Sequence, residues 1–110
     1  MNRLRKKNPY IADNLKFVRM ALNFSQKYMA DKMGVERSTY SAYEIGKTEP
    51  SLYQLKCIID IFNEALNKVA KGYVVDYDSL LTEQLNFLAV KNICNSKTEK
   101  SHLPFLHKKV

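Results

Sequence analysis

One side of the segment 37–45 carries side chains that are suited to contacting the edges of DNA bases. If the segment is a helix, its period of 3.6 residues places Tyr40 and Tyr43 together on one side. The opposite side then presents Arg37, Ser38, Ser41, Ala42 and Ile45. An arginine can donate two hydrogen bonds to guanine, serine hydroxyls can bond base edges, and an alanine methyl can meet the methyl group of thymine. We therefore predict a DNA-recognition helix whose tyrosine side packs inward.

A second short helix is predicted immediately before this recognition helix. Ser25 can cap the backbone N–H groups of its first turn, and Met29, Ala30 and Met33 form one apolar stripe. Gly34 follows the last turn, where a glycine adopts the left-handed conformation without a Cβ penalty. The small Ala30 stands where the next helix must cross closely. The two helices and their turn predict a helix-turn-helix.

At these residues the chain resembles the helix-turn-helix family of phage lambda repressor and Cro, also called the Xre family. The resemblance covers residues 14–62, and the matching positions are Ser25-Gln26, Ala30-Asp31-Lys32-Met33-Gly34-Val35, Arg37-Ser38-Thr39, Glu44-x-Gly46-Lys47 and Pro50-Ser51. It implies an all-α fold: a lambda-repressor-like five-helix bundle containing the helix-turn-helix. This chain adds a C-terminal extension to that bundle.

The resemblance also implies roles for individual side chains. The implied base contacts are Arg37, Ser38, Ser41 and Ala42. The implied contacts to the DNA backbone are Gln26, Thr39 and Lys47. Ala30 and Gly34 belong to the structural motif, and Arg19 on the first helix pairs with Glu44 at the end of the recognition helix. The chain departs from the family at Ile45, where a polar phosphate contact is more usual, and in having tyrosines at both inward positions of the recognition helix.

Apolar periodicity predicts the other helices. The first helix buries Ile11, Leu15, Val18 and Leu22. The fourth opens with a capping box at Ser51-x-x-Gln54, carries an apolar stripe at Leu52, Leu55, Ile59, Phe62 and Leu66, and stops at Gly72. Residues 73–78 are then extended or irregular, and a fifth helix spans 79–93. The predicted organisation is a basic arm at 1–9, a DNA-binding domain at 10–71, a connection and C-terminal helix at 72–95, and a basic tail at 96–110.

The C-terminal extension has two predicted uses. Its apolar side chains either fill the core or form a dimer surface, and the candidates are Leu80, Leu81, Leu85, Phe87 and Leu88. Phe17 and Met20 lie off the main stripe of the first helix and need a cover. The available covers are residues 73–77, residues 103–106 or a partner subunit. We therefore expect the extension to pack on the first helix or to complete a dimer.

The charge distribution suits a polyanionic partner. The net charge is +7, and residues 1–50 hold ten Lys/Arg against five Asp/Glu, whereas 51–95 hold four against five and 96–110 hold four against one. A solubilising surface would account for the same charge. The basic side chains of the arm, at Arg3, Arg5, Lys6 and Lys7, suit either a solvated tail or an arm that follows a DNA groove.

Other classes of function find little support in the sequence. Cys57 and Cys94 lie far apart and are interpreted as small buried side chains in a reducing compartment. A zinc site with His102 and His107 would lack the usual ligand spacing, so we predict no metal and no cofactor. There is no nucleophile–base pairing or phosphate-binding glycine loop, which argues against an enzyme. No stretch reaches transmembrane length, and we expect a cytoplasmic protein whose bacterial or phage origin rests on the resemblance.

These observations predict a sequence-specific regulator of transcription that binds double-stranded DNA, acting as a homodimeric repressor. The alternative is an antitoxin-type protein whose DNA-binding core regulates its own operon while the C-terminal segment binds a toxin. A co-purifying small protein would favour the alternative.

Overall fold

The computed structural model describes residues 8–82 and a short strand at 107–108. Its five helices are α1 (Ile11–Ala21), α2 (Gln26–Met33), α3 (Arg37–Glu44), α4 (Leu52–Val69) and α5 (Tyr77–Thr82). Strands β1 (Tyr73–Val74) and β2 (His107–Lys108) pair antiparallel, with Tyr73 opposite Lys108 and Val74 opposite His107. The predicted all-α class is confirmed. None of the helices described is long and apolar enough to cross a membrane.

Helix α1 forms because polar side chains and a left-handed residue close its two ends. The amide oxygen of Asn8 accepts hydrogen bonds from the N–H groups of Tyr10 and Ile11, which leaves fewer donors unsatisfied at the helix start. At the other end Asn23 has a φ of 64°, and the N–H of Phe24 donates to the carbonyl of Arg19. Asparagine tolerates this conformation better than most residues. The turn directs the chain back into α2.

The core contains the predicted apolar face of α1 and the inward sides of α2 to α4. Its buried members are Ile11, Leu15, Val18, Ala21, Met29, Ala30, Tyr40, Tyr43, Leu55, Ile58, Ile59, Ile61, Phe62, Leu66, Ala70, Val75 and Leu80. Leu22 and Met33 are partly buried and pack against this core. Helix α3 contacts both α1 and α2, and α4 closes the bundle against α2. The core therefore supports α3 from one side only.

Helix α4 differs from its predicted form in three ways. Leu52, expected on the buried stripe, is largely exposed because it lies in the first turn, beyond the edge of the core. The capping box is half formed: the N–H of Gln54 donates to Ser51 Oγ, but Gln54 Oε1 has no hydrogen-bond partner. The helix ends at Val69, and Gly72 follows with a φ of 96° in the turn into β1.

The described part of the C-terminal extension packs onto α1 and α4. Val75 and Leu80 are fully buried, and the Asn63 amide on α4 bonds both the N–H and the carbonyl of Val75. Asn14 Nδ2 on α1 donates to the carbonyl of Leu80 at 2.8 Å. Helix α5 begins two residues earlier than predicted, because Asp76 Oδ1 accepts the N–H of Ser79 and so caps its first turn.

Some of the side chains named in the sequence predictions lie at the margin of the core, and others lie outside the described residues. Phe17 is partly buried against the core, whereas Met20 stays 39% exposed rather than covered. Leu80 is buried and Leu81 is partly buried within the same chain. The basic arm residues at 3–7, the predicted helix beyond 82, Leu85, Phe87, Leu88 and the apolar residues at 103–106 lie outside the described residues.

Candidate DNA interface

The outer side of α3 presents the four side chains predicted to contact bases. Arg37 and Ser38 are exposed, and Ser41 and Ala42 are half-buried at the surface. On the opposite side both tyrosines are buried, with ring centroids 6.2 Å apart in an edge-to-face arrangement. Such pairs are more favourable than face-to-face stacking. The aromatic core contact therefore fixes which side of α3 faces outward.

The turn between α2 and α3 is closed by backbone geometry. The N–H of Tyr28 donates to Ser25 Oγ at 2.9 Å, so Ser25 is the predicted cap of α2. Gly34 ends the helix at a φ of 75°, and the N–H of Val35 donates to the carbonyl of Ala30. A Cβ added at Gly34 would meet no atom within 4 Å, so glycine is required here for its backbone conformation and not for space.

A second turn ends α3 and brings a loop back beside it. Gly46 has a φ of 80°, and the N–H groups of Lys47 and Thr48 donate to the carbonyl of Ala42 at 3.0 and 3.3 Å. The resulting surface groove is lined by Ser38, Thr39, Ala42, Tyr43, Lys47 and Thr48. The groove brings together two predicted base contacts, Ser38 and Ala42, and two predicted contacts to the DNA backbone, Thr39 and Lys47. The sequence predictions did not include Thr48, although its position directly after Gly46-Lys47 could have indicated that it lines the same groove.

An ion pair ties the end of α3 to α1, and a hydrogen bond to the same carboxylate adds the start of α2. Arg19 donates to the carboxylate of Glu44 through Nε at 2.6 Å and Nη2 at 3.0 Å, and Gln26 Nε2 donates to the same carboxylate at 3.0 Å. Arg19 Nη1 also donates to the carbonyl of Phe24. The side chains of Arg19 and Glu44 are 11% and 1% exposed. This cluster, Arg19–Gln26–Glu44, joins three helices on one carboxylate.

Burial changes the titration of two groups in this region. Burial by itself lowers the pKa of the Arg19 guanidinium, but the hydrogen bonds and the charge of Glu44 outweigh it, and the net shift is upward. Burial raises the pKa of the Tyr40 phenol far above its usual range, and the charge of Glu44 raises it further. Arg19 therefore stays charged and Tyr40 stays neutral, which keeps the ion pair intact and the phenol uncharged inside the core.

Gln26 occupies a position different from the other predicted backbone contacts. Its side-chain nitrogen donates to Glu44, and the residue is half-buried at the first position of α2. It does not line the groove that contains Thr39 and Lys47. The structure therefore assigns the Gln26 amide a role in holding α2 against the end of α3.

The described side chains form no cluster that could hold a metal ion. Cys57 is a half-buried free thiol. The other three ligands considered from the sequence, Cys94, His102 and His107, have side chains outside the described part of the chain.

A short helix with a buried aromatic side and a small polar outer side, preceded by a capped helix and a glycine turn, defines a helix-turn-helix DNA-binding fold. The family model described as "Helix-turn-helix" matches residues 15–69. The chain belongs to this Cro/Xre-type helix-turn-helix family, which the sequence motifs predicted.

Curated relatives extend the similarity beyond the motif. An uncharacterised HTH-type transcriptional regulator YqaE of Bacillus subtilis (strain 168) is 33% identical over 87 residues, covering 74% of this chain and 75% of that protein. The SPbeta prophage-derived uncharacterised HTH-type regulator YonR of the same strain is 33% identical over 100 residues, covering 88% and 93%. The HTH-type transcriptional regulator AnsR of that strain is 37% identical over 57 residues, covering 52% and 49%. The comparison with solved structures gave no match.

Proposed function

We propose that this protein binds double-stranded DNA at specific sites as a homodimer and represses transcription there. The observation that carries the proposal is the outer side of α3, where Arg37, Ser38, Ser41 and Ala42 face away from a core that holds Tyr40 and Tyr43. Their donors, hydroxyls and methyl match the chemistry of base edges in the major groove. The relatives named as HTH-type transcriptional regulators support a role in transcription.

The groove beside α3 supports a contact to the DNA backbone. Thr39 and Thr48 bring hydroxyls and Lys47 brings an ammonium group to its lining. Groups of this kind hold the phosphates that flank a recognition helix and set its register on the duplex. We assign contact with the DNA backbone to Thr39 and Lys47. We assign to Gln26 the positioning of α2 through its hydrogen bond to Glu44, and a contact with phosphate is its secondary role.

The small size of one recognition helix supports the proposed homodimer. A single α3 reaches only a few base pairs, whereas two copies can bind half-sites one helical turn apart, about 34–36 Å between centres. A dimer bound in this way covers the duplex and excludes other proteins from overlapping sequences. Occupation of a promoter by such a dimer accounts for repression.

Selection of bound sites from random duplex DNA tests the proposal. We expect an enriched site with two-fold symmetry and half-sites whose centres lie about 10 to 10.5 base pairs apart. A reporter gene with that site inside its promoter should then be expressed less when the protein is present. Enrichment of no sequence would contradict specific binding; a site without symmetry would contradict the homodimer; and higher expression would contradict repression.

A further inference from the structure

An acidic side chain stands at the end of α3 that carries Arg37. Glu36 is the residue directly before the helix, and it is exposed. Its backbone is extended, with φ −69° and ψ 149°. Among the described residues, neither an ion pair nor a side-chain hydrogen bond holds its carboxylate. A negative charge therefore lies beside a predicted base contact.

Two other carboxylates near the candidate DNA interface are bound within the protein. Glu44, at the far end of α3, accepts hydrogen bonds from side chains of α1 and α2. Glu49, in the loop 46–50 that follows α3, accepts the backbone N–H of Asn8. These bonds turn both charges toward protein donors. Glu36 differs from them because its carboxylate is not turned toward a donor of the described fold.

Helix capping does not account for a glutamate at this position. The helices before and after α3 begin with serine caps, because Ser25 and Ser51 accept N–H groups of the first turn. Serine, asparagine and aspartate are favoured there, since their short side chains reach those groups. The carboxylate of Glu36 makes no such bond to α3. Its role must therefore lie outside the capping of the helix.

The start of α3 is the part of a recognition helix that reaches base edges. In helix-turn-helix proteins the N-terminal residues of that helix contact the bases from within the major groove. Glu36 immediately precedes Arg37, the predicted guanine contact. An ionised carboxylate only accepts hydrogen bonds, and the negative phosphates repel it. Such a group is favourable in the groove only where a donor on a base lies within reach.

Cytosine presents the donor that suits a carboxylate best. The major-groove donors are the N4 amino group of cytosine and the N6 amino group of adenine. The adenine amino group lies between two acceptors, its own N7 and the O4 of the paired thymine, and both repel a carboxylate. The cytosine amino group has a C–H on one side and a single neighbouring acceptor, the O6 of guanine. The chemistry of the base edges therefore selects cytosine.

We propose that Glu36 is a specificity-determining residue that accepts a hydrogen bond from the N4 amino group of a cytosine, beside the base pair contacted by Arg37. Its charge also weakens binding to every sequence that lacks a donor at that position. The inference rests on the proposed DNA binding and deepens it, because it names a further residue that reads sequence and the base that this residue selects.

The test uses the full-length Glu36→Ser variant, whose shorter side chain cannot reach a base but can cap α3. The wild type should prefer cytosine at one position of the selected site by at least about tenfold, and the variant should lose that preference. On scrambled duplexes at low salt the variant should bind about threefold more tightly, the factor expected when one repulsion between unit charges roughly 7 Å apart in water is removed. Its melting temperature should be no lower than that of the wild type.

Glu64→Ser is the matched control for the loss of charge. Glu64 is exposed on α4, and it lines a cleft that includes no residue of α3. This variant removes the same charge and should keep the preference for cytosine, with an affinity for scrambled duplexes within about twofold of the wild type. Tighter binding by both variants to the same extent would mean that net charge alone acts, which would contradict a local role for Glu36.

Two further results would overturn the inference. An unchanged preference for cytosine in Glu36→Ser would mean that the carboxylate interacts only with solvent or with the dipole of α3. Equally weaker binding to all duplexes would mean that Glu36 supports the helix and reads no base. These failures leave the proposed function intact, because the wild type still selects a site. Selection of no sequence by the wild type would instead overturn the proposed function, and the inference with it.

Discussion

Removing the carboxylate of Glu44 should destabilise the protein far more than removing an exposed carboxylate. In Glu44→Ala the guanidinium of Arg19 loses two hydrogen bonds and the amide of Gln26 loses one. Arg19 is only 11% exposed, so water cannot fully replace the lost partner. Leaving a buried charge uncompensated costs about 3 to 5 kcal/mol, and the remaining exposure of Arg19 places the expected loss near 3 kcal/mol.

The assay is urea or thermal unfolding monitored by circular dichroism. A loss of about 3 kcal/mol corresponds to a fall in melting temperature of at least about 12 °C for a domain of this size. The matched control is Asp60→Ala, which removes the Lys56–Asp60 ion pair on α4, where both side chains are mostly exposed. Removing that pair should leave the melting temperature almost unchanged, because water and salt screen two exposed charges.

A double variant separates the buried charge from the lost packing. Replacing both partners, as Arg19→Met with Glu44→Met, removes the ion pair without leaving a charge in the core. This variant should be more stable than Glu44→Ala, because a buried pair can be exchanged for apolar side chains at little cost. Equal losses for Glu44→Ala and Asp60→Ala would refute the reasoning, since they would mean that the Arg19–Glu44 pair is effectively solvated.

Three further predictions address the interface and the turns. Arg37→Ala should lose about 1 to 3 kcal/mol of binding free energy on the selected site and relax the preference at one base, whereas Lys47→Ala should weaken binding to all sequences alike and lower the slope of log affinity against log salt by about one. Quantitative binding to selected and scrambled duplexes measures both effects, and an unchanged sequence preference in Arg37→Ala would contradict base contact. Gly34→Ala should lower the free energy of unfolding by about 1 to 2 kcal/mol and Gly34→Asn by less. The cost comes from the left-handed backbone conformation, because an added Cβ would meet no atom within 4 Å. Equal losses for the two variants in denaturation would contradict this cause. Tyr40→Phe should leave stability within about 0.5 kcal/mol or raise it, because the buried hydroxyl makes no hydrogen bond of good geometry although Glu44 and Arg19 lie near it. A loss above about 1 kcal/mol in denaturation would show that the hydroxyl bonds one of these two side chains.

Local chemistry accounts for the parts of the fold that the sequence predicted well. The Ser25 cap and the left-handed Gly34 depend on a few neighbouring residues, and the period of 3.6 already separates Tyr40 and Tyr43 from the outer side of α3. The pairing of Arg19 with Glu44 was predicted by family resemblance, and the structure bears it out. Contacts between distant residues were predicted from two sources: the resemblance supplied the Arg19–Glu44 pair, and the uncovered apolar side chains of α1 led to the prediction that the C-terminal extension packs on it.

The amino-acid sequence by itself determined the helix-turn-helix and which side of α3 faces outward, because helix caps, glycine turns and apolar periodicity act over four or fewer residues. Tertiary structure alone decided three other features. Packing placed Leu52 outside the core although its spacing matches the buried stripe, and it brought the Gln26 amide within hydrogen-bonding distance of Glu44. It also brought Asn14 and Asn63 to the backbone of the C-terminal extension. Each of these depends on where two distant segments meet, and periodicity describes one helix without specifying the surface that covers it.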